Sequence, residues 1–127
     1  MENVEQAKPK GVDGKIIAGI SYFGLIGLIV AFVLSKENKS ELVLFHLKQA
    51  SGLWVLHIVF TMCVFVTIII FILLPFLLIL VFPVIGIINI GFLILMIMGI
   101  INGFTEKMKH LPIIGKKSDA LLSKYIK

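Results

Sequence analysis

The 57 residues from Gln49 to Thr105 contain no Asp, Glu, Lys or Arg and are dominated by Val, Ile, Leu, Phe and Met. At ~1.5 Å per residue, one straight helix of that length would reach roughly 85 Å, against a bilayer hydrocarbon core about 30 Å thick. The run is too long for one membrane span and has room for two. It is also too apolar to be the core of so small a water-soluble domain, because too little polar sequence remains to cover it. Only 15% of the 127 residues are charged, where soluble domains carry about a quarter. The charges fall in three blocks, 2–15, 36–48 and 106–127. One membrane domain with short polar flanks accounts for that pattern.

A second apolar run, Ile16 to Leu34, precedes the first. It is longer than a signal-peptide core, and Ser35-Lys36-Glu37-Asn38-Lys39 offers no small-x-small cleavage site, so it is read as a retained span. The expected fold class is therefore an all-α integral membrane protein, with three transmembrane helices plus short amphipathic interfacial helices. Residues 1–15 form a polar N-terminal segment, 16–104 the membrane domain, and 105–127 a basic amphipathic tail. The spans are placed at about 16–34, 53–74 and 84–101. Pro75 and Pro83 mark the turn between the last two, or else the third begins at Phe76 and Pro83 lies inside it. Leu42, Phe45 and Leu47 alternate with His46, Lys48 and Gln49, which suggests a surface helix over 41–51 with Ser40 as its N-cap. Trp54 marks the interface. Ser118 to Lys127 reads as another short amphipathic helix, capped by Ser118 or Asp119.

Small residues propose packing faces. Ser21, Gly24, Gly27 and Ala31 share about a third of the circumference of the first helix. Gly99 and Gly103 form Gly-x-x-x-Gly in the last span. Such faces let membrane helices approach closely where lipid supplies no hydrophobic drive.

Polar residues interrupt the apolar run. If one helix continues from the surface segment into the second span, His46, Gln49, Ala50, Leu53 and His57 share an arc of roughly 80°, with Thr61 beside it. Polar groups at that depth are costly unless they face protein or water. The stripe, joined by Asn89 of the third span, is expected to contact a partner, line a pore, or simply bond helix to helix. His46 and His57 lie roughly 16 Å apart along a helix, too far to share an ion. No carboxylate lies in a span and no phosphate-binding loop occurs. No cofactor, no metal and no enzymatic activity are expected.

All twelve basic residues are Lys. Without Arg the preferred bidentate ligand of phosphates and bases is missing, which argues against nucleic acid. Lys107, Lys109, Lys116, Lys117, Lys124 and Lys127 sit beside apolar sequence, as expected of contacts with anionic lipid headgroups. Three spans place the termini on opposite sides. The 35–48 loop and the tail then share nine lysines against three before the first span, so lysine bias predicts N-out and C-in. Lone Cys63 can form no intramolecular disulfide.

Several segments in order resemble a known group: Ser21-Tyr22 and Gly24 in the first span, Phe45-His46-x-x-Gln49-Ala50, Gly99-Ile100-Ile101-Asn102-Gly103, and Leu111-Pro112-Ile113-Ile114-Gly115-Lys116. The group is the small bacterial membrane proteins related to the chloroplast inner-envelope import component Tic-twenty, which overlap a domain of unknown function. The resemblance covers roughly residues 16–127. It implies an all-helical fold in the bacterial cytoplasmic membrane and a role in an assembly that handles proteins. The leading expectation is a non-enzymatic subunit or accessory of a membrane complex, whose partners are lipids and either a membrane protein or a second copy of itself. The alternatives are a homo-oligomeric channel or transporter, and a lipid-interacting or membrane-stress protein.

Overall fold

The computed structural model describes residues 11–126. Five helices run in order: α1 (Gly14–Ile20), α2 (Gly24–Leu34), α3 (Glu41–Phe71), α4 (Pro75–Phe104) and α5 (Gly115–Leu122), with no strand among the described residues. At ~1.5 Å per residue, α3 and α4 are each roughly 45 Å long, more than the ~30 Å that a bilayer requires. Both are long and apolar enough to cross a membrane. Only 6% and 0% of their most apolar 18-residue windows are buried, so neither is the sheltered core helix of a soluble domain.

The expected first span is not one helix. It breaks at Ser21–Phe23, and neither α1, with 7 residues, nor α2, with 11, is long enough to cross a bilayer. Gly24 carries the break at φ +76°, a left-handed backbone that glycine adopts without steric cost. The two halves then fold back on each other. Asn38, beyond the end of α2, donates through Nδ2 to the Val12 carbonyl before α1, at 3.1 Å. The run therefore enters and returns at the same end of the molecule. Two long helices replace the three expected spans.

The surface segment 41–51 and the second span are likewise one helix. Ser40 opens α3, its Oγ accepting from the Val43 N–H at 3.4 Å. The turn that follows is shorter than expected: Ile72–Leu74 closes it, with Leu74 N–H donating to the Phe71 carbonyl at 2.9 Å. Pro75 then starts α4, where its missing N–H costs nothing. Pro83 lies within α4, as in the second of the two readings of the sequence, and not in the turn. In the tail, α5 begins at Gly115, so Ser118 and Asp119 are inside the helix and not its caps.

Burial is concentrated at one end. No residue from Trp54 to Met98 is buried. Ile17, Tyr22, Val43, Leu47, Ala50, Leu53, Leu111 and Ile114 form a core where α1, α2, the start of α3, the end of α4 and the tail converge. Gly99 and Gly103 do form a close-packing face, and it receives α1. A Cβ on Gly103 would sit 2.7 Å from the Gly19 nitrogen, and one on Gly99 would overlap the Tyr22 ring. The small face expected on the first run is not continuous, because the break divides it. Ser21 and Ala31 are buried, Gly27 packs back onto the Ile20 carbonyl, and Gly24 has nothing near it. The start of α1, the 35–40 loop and the tail share one end of the α3–α4 hairpin. With two long helices between them, the described flanks lie at the same end, whereas the three-span reading placed the termini on opposite sides.

Candidate functional site

At the converging end, the fully buried His46 and Gln49 of α3 are both engaged, whereas the Ser51 hydroxyl is buried without a partner. His46 Nε2 lies 2.8 Å from the Lys107 carbonyl, and Nδ1 lies 3.0 Å from the Tyr22 hydroxyl. A carbonyl only accepts, so Nε2 carries the proton, and in the neutral ring Nδ1 accepts from the tyrosine O–H. One imidazole thus ties the break after α1 to the segment that follows α4. One turn on, Gln49 clamps the tail from both sides of its amide. Nε2 donates to the Gly115 carbonyl at 2.7 Å, and Oε1 accepts the Leu111 N–H at 3.1 Å. Glycine is required at 115, because a Cβ there would lie 2.9 Å from a His110 carbon. Lys48 adds an ion pair to Asp119 Oδ1 at 2.9 Å, and His110 Nε2 lies 3.7 Å from Oδ2.

The polar stripe expected on α3 is therefore continuous, and its outer half faces the bundle: His46, Gln49, Ala50 and Leu53 are all 0–1% exposed. Its inner half is different. His57 Nε2 stands 3.5 Å from Asn89 Oδ1 across the α3–α4 seam, a long and weak hydrogen bond. Around it, Trp54 and Phe92 present ring edges to the imidazole at centroid distances of 5.6 and 4.7 Å. A cavity of about 190 Å³ opens here, lined by Leu53, Trp54, His57, Asn89, Phe92 and Met96 among others. The Trp54 indole N–H is buried without a partner. Thr61 does not join the cluster, since its hydroxyl donates to the His57 carbonyl of its own helix at 2.8 Å. Asn89 likewise donates to the Ile85 carbonyl at 2.9 Å.

The stripe thus separates into a closed lock (His46, Gln49) and an open pair (His57, Asn89). His46 and Gln49 are fully buried and hydrogen-bonded inside the bundle. Three decisive pairings were not read from the sequence: Tyr22 with His46, Asp119 (expected as a helix cap) with Lys48, and Asn38 with Val12, the link that closes the first run. Tyr22 had a signal, as one of only two tyrosines and the sole phenol in an apolar run. Lys107, Lys109, Lys116, Lys117 and Lys124 all have exposed side chains and, among the described residues, no carboxylate within 4 Å. Lys127 lies outside the described residues. Among the described residues, no three of His, Cys, Asp and Glu converge on a point.

No family model, curated protein or solved structure matches the chain.

Proposed function

We propose that the chain is a non-enzymatic subunit or accessory of a membrane assembly, with its unpaired α3–α4 face as the contact surface. One observation carries this reading. His57, Thr61 and Asn89 lie within the apolar run, on the part of the hairpin where no residue is buried. Polar side chains at membrane depth are costly against lipid and are normally satisfied by protein. Gly86 of α4 has open space where a Cβ would stand, which leaves room for a close helix approach. The resemblance to Tic-twenty-related proteins points the same way, toward an assembly that handles proteins. Two of its four motif segments meet through Gln49 and the 111–115 loop.

The membrane is the bacterial cytoplasmic membrane in this proposal, with both described flanks on the cytoplasmic side. All described lysines lie at the converging end, while the Ile72–Leu74 turn has none, and lysine-rich flanks stay inside. In a Cys63→Ser background, Val12→Cys and Lys124→Cys are expected to resist an impermeant thiol reagent in intact cells. Labelling of either one would reverse the orientation.

The test of the assembly itself is co-purification in gentle detergent with mass spectrometry, alongside a photo-crosslinker at position 89. A reproducible crosslinked membrane protein, or a second copy of the chain, is the expected result. A lone monomer that captures nothing would overturn the reading.

A further inference from the structure

We propose that the surface around α5 binds one diacyl anionic phospholipid, with its headgroup over Lys116 and Lys117 and its two acyl chains in separate grooves. The proposal rests on α3 and α4 lying in a bilayer, and is independent of any protein partner.

Two apolar grooves flank a ridge made by Leu56 and Ile114. One, of about 300 Å³, runs between α3 and α5, with Leu121 and Leu122 on its far wall and Lys117 at its rim. The other, of about 440 Å³, lies between α3 and α4 beneath Pro112 and Ile113. Leu56 and Ile114 line both, so the grooves diverge from a common ridge, as two chains diverge from one glycerol. Above the second groove, sharing Pro112 and Ile113 with it, is a hollow of about 340 Å³ bounded by His110 and Lys116. Polar ground thus sits directly over apolar ground on a single short loop.

The charge of this surface is uncompensated. The nearest acid, Asp119, is already held by Lys48 at 2.9 Å. Lys116 and Lys117 are exposed, with no carboxylate partner among the described residues. A headgroup of net negative charge gains from both lysines, whereas the choline of a zwitterionic headgroup gains nothing. A free phosphate has no use for the grooves.

Ile113 supplies a second, independent sign. It holds φ +72°, a conformation that β-branched residues rarely adopt, and its side chain is 85% exposed at the lip between hollow and groove. The loop is fixed there by Ile114 N–H to the Pro112 carbonyl at 2.8 Å and by the clamp of Gln49. A rigid loop that projects an isoleucine outward beside two lysines fits a surface seated among acyl chains and headgroups.

The experiment is native mass spectrometry of the full chain in detergent, titrated separately with dioleoyl phosphatidylglycerol, dioleoyl phosphatidylcholine and single-chain lysophosphatidylglycerol. The diacyl anionic lipid is expected to bind one per chain, about thirtyfold tighter than its zwitterionic counterpart, from roughly 1 kcal/mol for each of the two lysines. Lys116→Gln with Lys117→Gln should remove that preference, and Lys107→Gln with Lys109→Gln should keep it. Equal binding of the two diacyl lipids would overturn the proposal. So would an equal loss from both lysine pairs, or lysolipid binding as tight as the diacyl form. If the Lys116/Lys117 variant does not fold by circular dichroism, the three-lipid comparison on the unaltered chain decides alone.

Discussion

The two ends of the α3–α4 hairpin are built by opposite rules. At the converging end, α1, α2 and the tail wrap the helices, and His46, Gln49 and Lys48 each bond to a different segment. At the other end, Ile72–Leu74 turns with local backbone bonds only, and Leu73 is 84% exposed. The difference follows from solvent. Lipid surrounding apolar side chains gives them no reason to collapse on one another, so the far end gains little by packing. Near the headgroups, backbone that leaves a helix must find hydrogen-bond partners, and buried side chains of α3 supply them.

The strongest way to break this contrast is at the glycine seam. Gly103→Leu forces a side chain into the backbone of α1 and should destabilise the protein by about 3 kcal/mol, read as a large drop in Tm in detergent. A neutral result would mean that α1 does not dock on α4. Gln49→Leu should cost about 2 kcal/mol, because it strands the Leu111 N–H and the Gly115 carbonyl. The released tail should also become a substrate for limited proteolysis while α3 and α4 stay intact, and an uncut tail would refute the clamp.

Tyr22→Phe keeps the ring over Gly99 and loses only the bond to His46, for about 1 kcal/mol. Lys48→Gln should cost less than about 1 kcal/mol, since its ion pair is part-exposed and screened; a double-mutant cycle with Asp119→Asn measures it. At the bare end, Gly86→Leu should leave thermal stability within about 0.5 kcal/mol yet reduce crosslinking through position 89. Loss of stability there would mean the far end is packed after all, and the contrast would fail.

Much of the architecture was legible because it is written in local pattern. The uncharged run from Gln49 to Thr105 specifies two apolar helices, and the 3.6-residue period sets His46, Gln49 and Leu53 on one face. Gly99-x-x-x-Gly103 was readable as a close-packing face, although its partner was not. The break in the first run was not legible. Ile16 to Leu34 has the length and composition of a span, and what divides it is tertiary: Tyr22 is held to a histidine 24 residues away, and Asn38 reaches back 26 residues to Val12. The turn stood between two readings because Pro75 and Pro83 look alike in sequence; the observed one is the second, in which Pro75 opens α4 and Pro83 lies inside it. The division of the polar stripe into lock and open pair depended on where the tail folds back, which no local pattern records.

The bond between Asn38 and Val12 has a consequence for how this protein is made. On the two-span topology proposed above, the first apolar run returns to the side it entered from, and its described flanks do not cross the bilayer. Only the uncharged turn Ile72–Leu74 must reach the far side. Carrying one lysine through the bilayer centre costs roughly 2.5–3.5 kcal/mol on insertion scales, and no described lysine makes that crossing. On that topology, insertion resembles pushing a greased loop into the membrane from one face, with no described lysine to drag outward.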